Sequence, residues 1–532
     1  MKDHTKIILT AFGLSGASAL IYEVVWTRAL SLVLGSTTYA LSTMLTTFMA
    51  GLAVGGYLGG RLSDKRTDHL RLFGLCEAGI GVFGLLAVPL IYALPLAYLA
   101  IYRSFHLAPA VFLGVQFLLC GAIMFVPTAL MGITFPLVSR AISPGPNGLG
   151  TTVGNAYAAN TVGAIIGAFS AGFILLPALG IKASSFVAAA LNLVLALLLI
   201  GMSGRWRKSV PVIVLAFCLA GAAAVFAEEK ASFITFYTAF RFPETVSSRE
   251  LVEGNKDAHR LLYYREHAEG AVRLYAEQDG SLILQTGGKI EGTKRVEMPN
   301  TLLLAYLPLA SHPKAGRFLV VGLGVGVTVG AAKEYAREVD VVEINPGVVD
   351  AVRAFGPTGL LDGVNVFVDD ARQHLLLHEK KYDIISSEPS YPTEASVTNL
   401  FTREFYLLAR DRLNPGGIYC QWLPYYLLRD EDMAMTARTF GSVFDQVYVW
   451  KVGQTMDRIM VGSTAPFAYD HDEIVRRVQA LNRSGIVLQP ELSREPAQIA
   501  ELARRDDIPI NTDDRPLLEF HVVRNIIAGR AH

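Results

Sequence analysis

Acidic side chains stand at the ends of several predicted strands in the C-terminal half of the sequence. Glu343 ends "VDVVEI", Asp369 and Asp370 follow "VNVFV", and Glu388 comes just after "YDIIS" within the stretch "DIISSEPSYP". The carboxyl ends of parallel strands meet at one edge of a sheet, so we expect these carboxylates to face one crevice. Carboxylates placed in this way can bind hydroxyl or amino groups of a ligand, or accept a proton from one.

A glycine loop precedes the first of these carboxylates. The loop "GLGVG" lies between strand "RFLVV" and a helix predicted to about residue 337, and it contains Gly322, Gly324 and Gly326. Glycines let the backbone approach a ligand closely, and an acidic residue at the next strand end, here Glu343, accepts hydrogen bonds from a ribose diol. The pattern predicts a nucleoside-binding crevice and leaves open a dinucleotide or an adenosyl sulfonium as its ligand.

The charge of the crevice favours one of these ligands. Carboxylates after three strands would repel a pyrophosphate and attract a sulfonium. The alternative interpretation is that Asp369, Asp370 and Glu388 are ordinary strand-end caps and turns. We expect Asp369 and Asp370 to meet an adenine amino group.

The elements that must position these residues form an α/β domain. Strands alternate with helices from residue 317 onward, which predicts a mostly parallel sheet covered by helices. Before it, apolar and polar residues alternate around "QDGS", which is typical of a β-hairpin. The predicted fold is a C-terminal Rossmann-like domain (313–532) preceded by a linker and a small β-hairpin subdomain (229–312).

The first 228 residues have the composition of a polytopic α-helical membrane domain. The predicted crossings number seven, at roughly residues 7–22, 29–60, 72–93, 107–139, 150–178, 183–203 and 209–227. Glycines spaced four apart, as in "GLAVGGYLGG", predict close helix packing. The lipid bilayer is therefore an expected partner.

Basic residues in alternate loops predict the orientation of these helices. The loops that carry them hold Arg61, Lys65, Arg66 and Arg71, then Arg140, then Arg205, Arg207 and Lys208. This distribution places the amino terminus and those loops in the cytoplasm. Seven crossings would then leave the C-terminal domain outside, whereas the cytoplasmic supply of adenosyl sulfoniums favours a cytoplasmic domain at a bacterial inner membrane.

Composition excludes several function classes. The 532 residues include 47 basic and 47 acidic ones, so the net charge does not indicate nucleic-acid binding, and the sequence contains no local basic cluster that would. The mean hydropathy of +0.37 is high, as expected when a membrane domain and a soluble domain are averaged. The four cysteines lie far apart without CxxC spacing. We expect no nucleic-acid partner, no disulfide framework and no metal.

These motifs, taken together and in order, resemble the spermidine synthase (polyamine aminopropyltransferase) family over residues 258–425. The resemblance is carried by "KIEGT", Glu297, "YLPL", "GLGVG", "VVEINPGVV", "DDAR", "YDIISSEPSYP", "LFTREFY" and "LNPGGIYCQW". "YEVVWTR" near the start and "NTDDRPLLEF" near the end resemble its membrane-fused bacterial branch. The resemblance implies a transferase that moves the aminopropyl group of decarboxylated S-adenosylmethionine to a diamine, releases methylthioadenosine and commonly forms a homodimer.

The resemblance also implies roles for individual residues. Glu343 would hold the ribose, Asp370 the adenine, and Glu388 would orient or deprotonate the attacking amine. The full donor-binding set is Gly322, Gly324, Gly326, Glu343, Ile344, Asp369, Asp370, Ala371 and Glu291. The acceptor-binding set is Glu297, Asn300, Thr301 and Gln421, with Tyr391 beside Glu388 in the catalytic pair.

Four positions depart from the family pattern. Val325 replaces a loop aspartate that grips the aminopropyl ammonium, and Tyr391 replaces a second carboxylate. Asn300 and Thr301 replace a tyrosine–histidine pair, and Glu291 replaces a glutamine. Without a carboxylate at Val325, one substrate ammonium lacks its partner, which disfavours the polyamine reaction.

Two further hypotheses therefore stand beside aminopropyl transfer. The same crevice would suit an enzyme that acts on intact S-adenosylmethionine, by methyl transfer, aminocarboxypropyl transfer or cleavage without an acceptor. Alternatively, the chain is a transporter or sensor whose soluble domain only binds an adenosyl ligand or a polyamine.

Overall fold

The molecule comprises two compact units, Met1–Gly254 and Asn255–His532. The structure is a computed structural model. It describes residues 2–34, 38–105, 109–143, 149–204, 206–226, 259–265, 267, 269–286, 289–293, 298–312, 314–392, 395–453 and 457–527. The three-part division at residues 228 and 312 stays a prediction.

All secondary-structure elements in the described part of the first unit are helices, joined by short connections. Its helices are α1 (Lys2–Leu34), α2 (Thr38–Lys65), α3 (His69–Phe105), α4 (Pro109–Ile142), α5 (Leu149–Ser170), α6 (Leu176–Met202) and α7 (Trp206–Phe226). The π-helical turn Ala171–Leu175 joins α5 to α6. The predicted apolar stretch 29–60 is not one helix, because α1 ends at Leu34 and α2 begins at Thr38.

Five helical segments among the described residues are long and apolar enough to cross a membrane. They are His4–Leu30, Leu41–Lys65, His69–Leu94, Phe117–Ile142 and Leu149–Met202. The last has 54 residues, about 80 Å of helix at 1.5 Å per residue, whereas a bilayer core is about 30 Å thick. This segment can therefore cross twice, with its break at Gly180, where φ is 74° and ψ is −178°.

Glycines mediate the closest helix contacts of this unit. A Cβ added to Gly55 of α2 would overlap the Ala129 carbonyl of α4, and one added to Gly59 would lie 2.8 Å from Ile133 Cα. Gly163 of α5 meets Gly13 of α1 in the same way. Close backbone approach of this kind pairs helices in environments where lipid provides no hydrophobic drive between them.

A polar cluster lies buried among α1, α3 and α6. Glu77 of α3 has no exposed surface, and its carboxylate accepts hydrogen bonds from Ser15 Oγ (2.6 Å) and Asn192 Nδ2 (2.7 Å). The Asn192 amide also donates to Ser18 Oγ (3.0 Å). Buried polar groups are expensive unless they are paired, so these hydrogen bonds fix the register of the three helices.

The second unit contains a small antiparallel sheet and a large mixed sheet. The small sheet has the order β1 (His259–Arg265), β2 (Val272–Glu277), β3 (Leu282–Thr286), β4 (Lys289–Thr293). The predicted hairpin around "QDGS" joins β2 to β3, and Gly280 in its turn has a φ of 80°.

Five parallel strands form one side of the large sheet, with β7 at its edge. They are β5 (Arg317–Val321), β6 (Glu338–Glu343), β7 (Asn365–Val368), β8 (Tyr382–Ser387) and β9 (Leu413–Leu423), in the order β9-β8-β5-β6-β7. The antiparallel strands β11 (Arg458–Ser463), β10 (Gln446–Val452) and β12 (Pro490–Arg494) extend the sheet beyond β9. Chain order reverses at β5, which pairs with β6 on one side and β8 on the other. Ligands of such sheets bind at this point, outside the carboxyl ends of the strands.

Helices flank this sheet and connect its strands. They are α8 (Met298–Ser311), α9 (Val327–Lys333), α10 (Pro346–Phe355), α11 (Ala371–Leu377), α12 (Ala395–Thr398), α13 (Arg403–Asp411), α14 (Asp430–Gly441), α15 (His471–Leu481), α16 (Pro496–Ala503) and α17 (Leu517–Ile527). Phe318, Val341 and Ile384 of the central strands are completely buried. Strands covered on both faces must be apolar along their length, which is why "RFLVV" was recognisable in the sequence.

Candidate active site

The glycine loop lies at the switch point between β5 and β8. The φ angles of Gly322, Gly324 and Gly326 are 92°, 52° and 84°. Residues that have a Cβ atom rarely adopt such left-handed backbone conformations. A Cβ on Gly322 would lie 2.7 Å from the Glu388 carbonyl oxygen. The backbone N–H of Glu388 donates to the carbonyl of Val321 (2.9 Å), so the loop and the β8 end are fixed together.

Glu343 connects the glycine loop to the end of β6. Its Oε2 accepts a hydrogen bond from Leu323 N (2.9 Å), and its Oε1 accepts one from Asn345 N (2.9 Å). Burial raises the pKa of the Glu343 carboxyl, the two backbone donors oppose this effect, and the charge of Glu291 adds to it. Each carboxylate oxygen keeps a further lone pair for a ligand hydroxyl. The carboxylate therefore shapes the loop as well as facing the crevice.

Asp369 and Asp370, the acidic pair after β7, make structural hydrogen bonds within the domain. Asp370 caps α11, since its Oδ1 accepts a hydrogen bond from Gln373 N (2.9 Å), and Asp369 N donates to the carbonyl of Glu343 (3.1 Å). Ala371 is buried, whereas Ile344 keeps 46% of its surface exposed beside Glu343. An exposed apolar side chain at this place can pack on a flat ring. The contact of Asp369, Asp370, Ile344 and Ala371 with adenine stays a prediction.

Glu388 contacts a hydroxyl that the sequence analysis missed. Thr328 Oγ1, at the start of α9, lies 3.1 Å from Glu388 Oε2 and 2.9 Å from the carbonyl oxygen of Thr301. The hydroxyl has one proton and donates to one of these acceptors at a time. The side chain of Glu388 is half-buried. The Thr328 hydroxyl can therefore hold the carboxylate in place while part of its surface stays exposed.

Glu291 of β4 joins the small sheet to the segment after β8. Its Oε1 accepts hydrogen bonds from Ser390 Oγ (2.6 Å) and Thr286 Oγ1 (2.9 Å). Ser390 lies two residues after Glu388, so Glu291 contacts the segment that follows Glu388. Glu291 also lies close enough for its charge to raise the pKa of Glu343. The sequence did not indicate Ser390 or Thr328, and a shared binding site for the three glutamates stays a prediction.

A further buried carboxylate lies near Tyr391. Asp457, just before β11, is buried and accepts hydrogen bonds from Trp422 Nε1 (3.1 Å) and from the Asn300 amide. The Trp422 ring contacts the Tyr391 ring at a centroid distance of 6.0 Å. Asp457 and Trp422 were not among the predicted site residues, because an aspartate before an apolar strand reads as an ordinary strand start.

The structure does not bring Gln421 into this group, and Glu297 cannot be placed. Gln421 is fully buried, and its amide donates to the carbonyl of Leu400 (3.2 Å) and accepts from the Tyr419 hydroxyl (3.3 Å). Glu297 lies outside the described residues. Their roles toward a substrate stay predictions.

Sheet order, switch point and glycine loop define a Rossmann-like domain. Residues 297–468 match the model of the spermine/spermidine synthase domain. Over these residues the chain is therefore similar to enzymes of the spermidine synthase type.

Individual relatives cover this domain to different extents. A spermidine synthase of Dictyostelium discoideum is 28% identical over 173 residues, which are 31% of this chain and 60% of that protein. A polyamine aminopropyltransferase of Oceanobacillus iheyensis is 23% identical over 434 residues, 78% of this chain and 77% of that protein. Putrescine N-methyltransferase 2 of Nicotiana tabacum is 29% identical over 220 residues, 38% of this chain and 60% of that protein.

Solved structures of similar proteins cover about half of the chain. A spermidine synthase in complex with the transition-state analogue AdoDATO is 18% identical, with a TM-score of 0.38 over 46% of this chain and 84% of that one. A probable spermidine synthase from Corynebacterium glutamicum is 17% identical, with a TM-score of 0.39 over 48% and 97% of the two chains.

Proposed function

We propose that the chain is a membrane-integrated transferase that moves the aminopropyl group of decarboxylated S-adenosylmethionine to a polyamine such as putrescine. The observation that carries this proposal is the position of Glu388, fixed by Val321 and Thr328 beside the glycine loop at the switch point. The names of the matched aminopropyltransferases support the same reaction. The apolar helices support integration into a membrane. We further propose that this is the cytoplasmic membrane, that the second unit lies on its cytoplasmic side, where adenosyl sulfoniums are made, and that the protein forms a homodimer, as the family resemblance implies.

The proposed chemistry is a displacement at carbon. An uncharged amine nitrogen attacks the methylene carbon bound to the sulfonium sulfur, forming an N–C bond as the C–S bond breaks. The electron pair of that bond stays on sulfur, which leaves as the neutral thioether of methylthioadenosine. The proton lost by the amine passes to Glu388 Oε, and holding nitrogen in line with carbon supplies the rest of the catalysis.

Glu343 and Asp370 are proposed to bind the donor. The free lone pairs of Glu343 would accept the ribose hydroxyls, while its existing bonds to Leu323 and Asn345 keep the loop in place. Asp370 uses Oδ1 for its cap, which leaves Oδ2 for the adenine amino group. Neighbouring carboxylates stabilise the positive sulfonium.

A second candidate is methyl transfer from intact S-adenosylmethionine. Val325 has only 4% of its surface exposed and packs in the hydrophobic core cluster of this unit, so no carboxylate projects from the middle of the glycine loop. The match to putrescine N-methyltransferases favours this reaction.

Product analysis distinguishes the candidates. The purified protein is incubated with S-adenosylmethionine or its decarboxylated form, each with and without putrescine, and products are identified by mass spectrometry. Methylthioadenosine with spermidine, from the decarboxylated donor only, supports aminopropyl transfer. Adenosylhomocysteine supports methyl transfer, methylthioadenosine from the intact donor alone indicates cleavage, and binding without turnover favours a transporter or sensor.

A further inference from the structure

Glu77 is a carboxyl group enclosed among the helices of the first unit. It lies on α3 within the apolar segment His69–Leu94 and has no exposed surface. Its two oxygens accept hydrogen bonds from Ser15 Oγ (2.6 Å) and Asn192 Nδ2 (2.7 Å), which are both neutral donors. Among the described residues, no lysine, arginine or histidine is paired with it. Burial of an ionised carboxylate without a compensating cation is strongly unfavourable.

Unpartnered polar atoms lie beside this carboxyl group. Within the described part of the chain, Asn192 Oδ1 and the Tyr22 hydroxyl are buried without a hydrogen-bond partner, and neither residue has exposed surface. A Cβ added to Gly84, seven residues after Glu77 on α3, would lie 2.6 Å from the Tyr22 hydroxyl oxygen. Tyr22 therefore points at the face of α3 that carries Glu77. Buried polar atoms without partners are rare and recur at functional sites.

Helix α1 presents a row of hydroxyl groups to this face. Ser15, Ser18 and Tyr22 follow each other at spacings of three and four residues, which places them on one side of a helix. The Ser15 hydroxyl donates to Glu77, and Ser18 Oγ accepts from the Asn192 amide (3.0 Å). A hydroxyl both donates and accepts, so Ser15 can bond to a carboxylate as donor or to a carboxylic acid as acceptor.

These distances select the cation that the cluster can hold. The carboxyl oxygens of Glu77 already lie 2.6 and 2.7 Å from their partners, so a metal ion or an ammonium group would have to separate these atoms. A proton fits within the existing hydrogen bond between Glu77 Oε1 and Ser15 Oγ. Binding it reduces the charge of the cluster from −1 to zero.

We propose that Glu77 is a proton-binding site of the first unit. Oε1 takes one proton from solvent, the Oε1–H group donates to Ser15 Oγ, and the proton returns to solvent as pH rises. Tyr22 of α1 and Cys76 of α3 are the titratable groups that interact with Glu77, and both are neutral near pH 7. From α6 the cluster receives only the neutral amide of Asn192, and the described residues of α4 and α7 make no hydrogen bond or ion pair with Glu77.

Infrared difference spectroscopy of the full-length protein in detergent tests the inference. The C=O stretching band of a carboxylic acid is distinct from the bands of a carboxylate. The wild-type spectrum should contain such a band at pH 7 that shrinks as pH is raised, and E77Q should lose it. D64N is the matched control, because Asp64 is an exposed carboxylate of the same unit, paired with Arg140. D64N should keep the band.

A second variant covers the case in which E77Q does not fold. S15A removes the acceptor of the Oε1–H group, so the acid band should persist and shift to higher frequency. No acid band in the wild type at pH 7, a band that survives in folded E77Q, or a band that S15A leaves unshifted would overturn the inference. The result does not depend on turnover, so missing aminopropyl transfer would contradict only the proposed reaction.

Discussion

At the residue scale, the site consists of carboxylates that are held by the backbone and still accessible to a ligand. Glu343 is tied to Leu323 and Asn345, whereas Glu388 is held by its own N–H and by the Thr328 hydroxyl. These two residues should therefore respond differently to substitution. Under the proposed function, Glu343 would support both the loop and the ligand, and Glu388 would support the reaction.

Replacing Glu388 with glutamine should abolish turnover and spare donor binding. The amide keeps the size of the side chain and loses the ability to accept a proton, which is worth about 100- to 10,000-fold in kcat. Mass spectrometry measures the rate of product formation, and calorimetry measures the affinity for methylthioadenosine. Wild-type turnover in E388Q would show that Glu388 is not the base.

Nucleoside affinity should fall on acidification because of Glu343. Burial raises the pKa of this carboxyl above the ordinary glutamate value of 4.5, and ribose hydroxyls bind the ionised form. As pH falls through that raised pKa, protonation removes acceptor lone pairs and affinity decreases. Calorimetric titration with methylthioadenosine from pH 7.5 to 5 measures the effect. The E343Q variant should bind methylthioadenosine weakly at every pH. If its affinity still falls on acidification, a group other than Glu343 is responsible for the pH dependence.

At the element scale, helix contacts in the first unit depend on glycines at particular positions. Gly55 faces the Ala129 carbonyl, whereas Gly60 on the same helix has no atom within 4 Å of an added Cβ. G55A should lower stability by about 1–3 kcal/mol through overpacking. G60A should be neutral or stabilising by up to about 1 kcal/mol, because alanine favours helix. Thermal unfolding in detergent compares them, and equal Tm values would contradict the α2–α4 contact.

The elements were predictable where the signal is local. The runs "RFLVV" and "YDIIS" are apolar because β5 and β8 are buried on both faces, and the glycine loop follows directly in the chain. The helix after that loop ends at Lys333, before the predicted residue 337. Thr328 and Asp457 escaped prediction because their partners come from segments far away in sequence. The two hydrogen bonds that Glu343 accepts from backbone N–H groups likewise form only in the folded loop.

At the scale of the whole molecule, the proposed membrane integration ties the side of the second unit to the number of crossings. With the break at Gly180, Leu149–Met202 is long enough to cross twice, so six crossings are possible with α1 to α4. The apolar part of α7, Val210–Val225, is shorter than the roughly 20 residues that a crossing needs. Six crossings would return the chain to the side of its amino terminus, in agreement with the proposed cytoplasmic position of the second unit.

Reporter fusions test this topology. A fluorescent protein fused to the C-terminus should fluoresce in the cytoplasm, and alkaline phosphatase fused there should be inactive, because it folds only in the periplasm. Fusions truncated in the basic loop after Lys65 provide the cytoplasmic reference. An active phosphatase at the C-terminus would mean an odd number of crossings and an external catalytic unit.

Under the proposed function, the crevice around Glu388 moves an aminopropyl group to an amine. The most direct measurement uses decarboxylated S-adenosylmethionine deuterated in its aminopropyl group, incubated with putrescine and either wild-type protein or E388Q. We predict one labelled spermidine for each methylthioadenosine released by the wild type, and neither product from E388Q. Methylthioadenosine without labelled spermidine, or equal product from E388Q, would contradict the account.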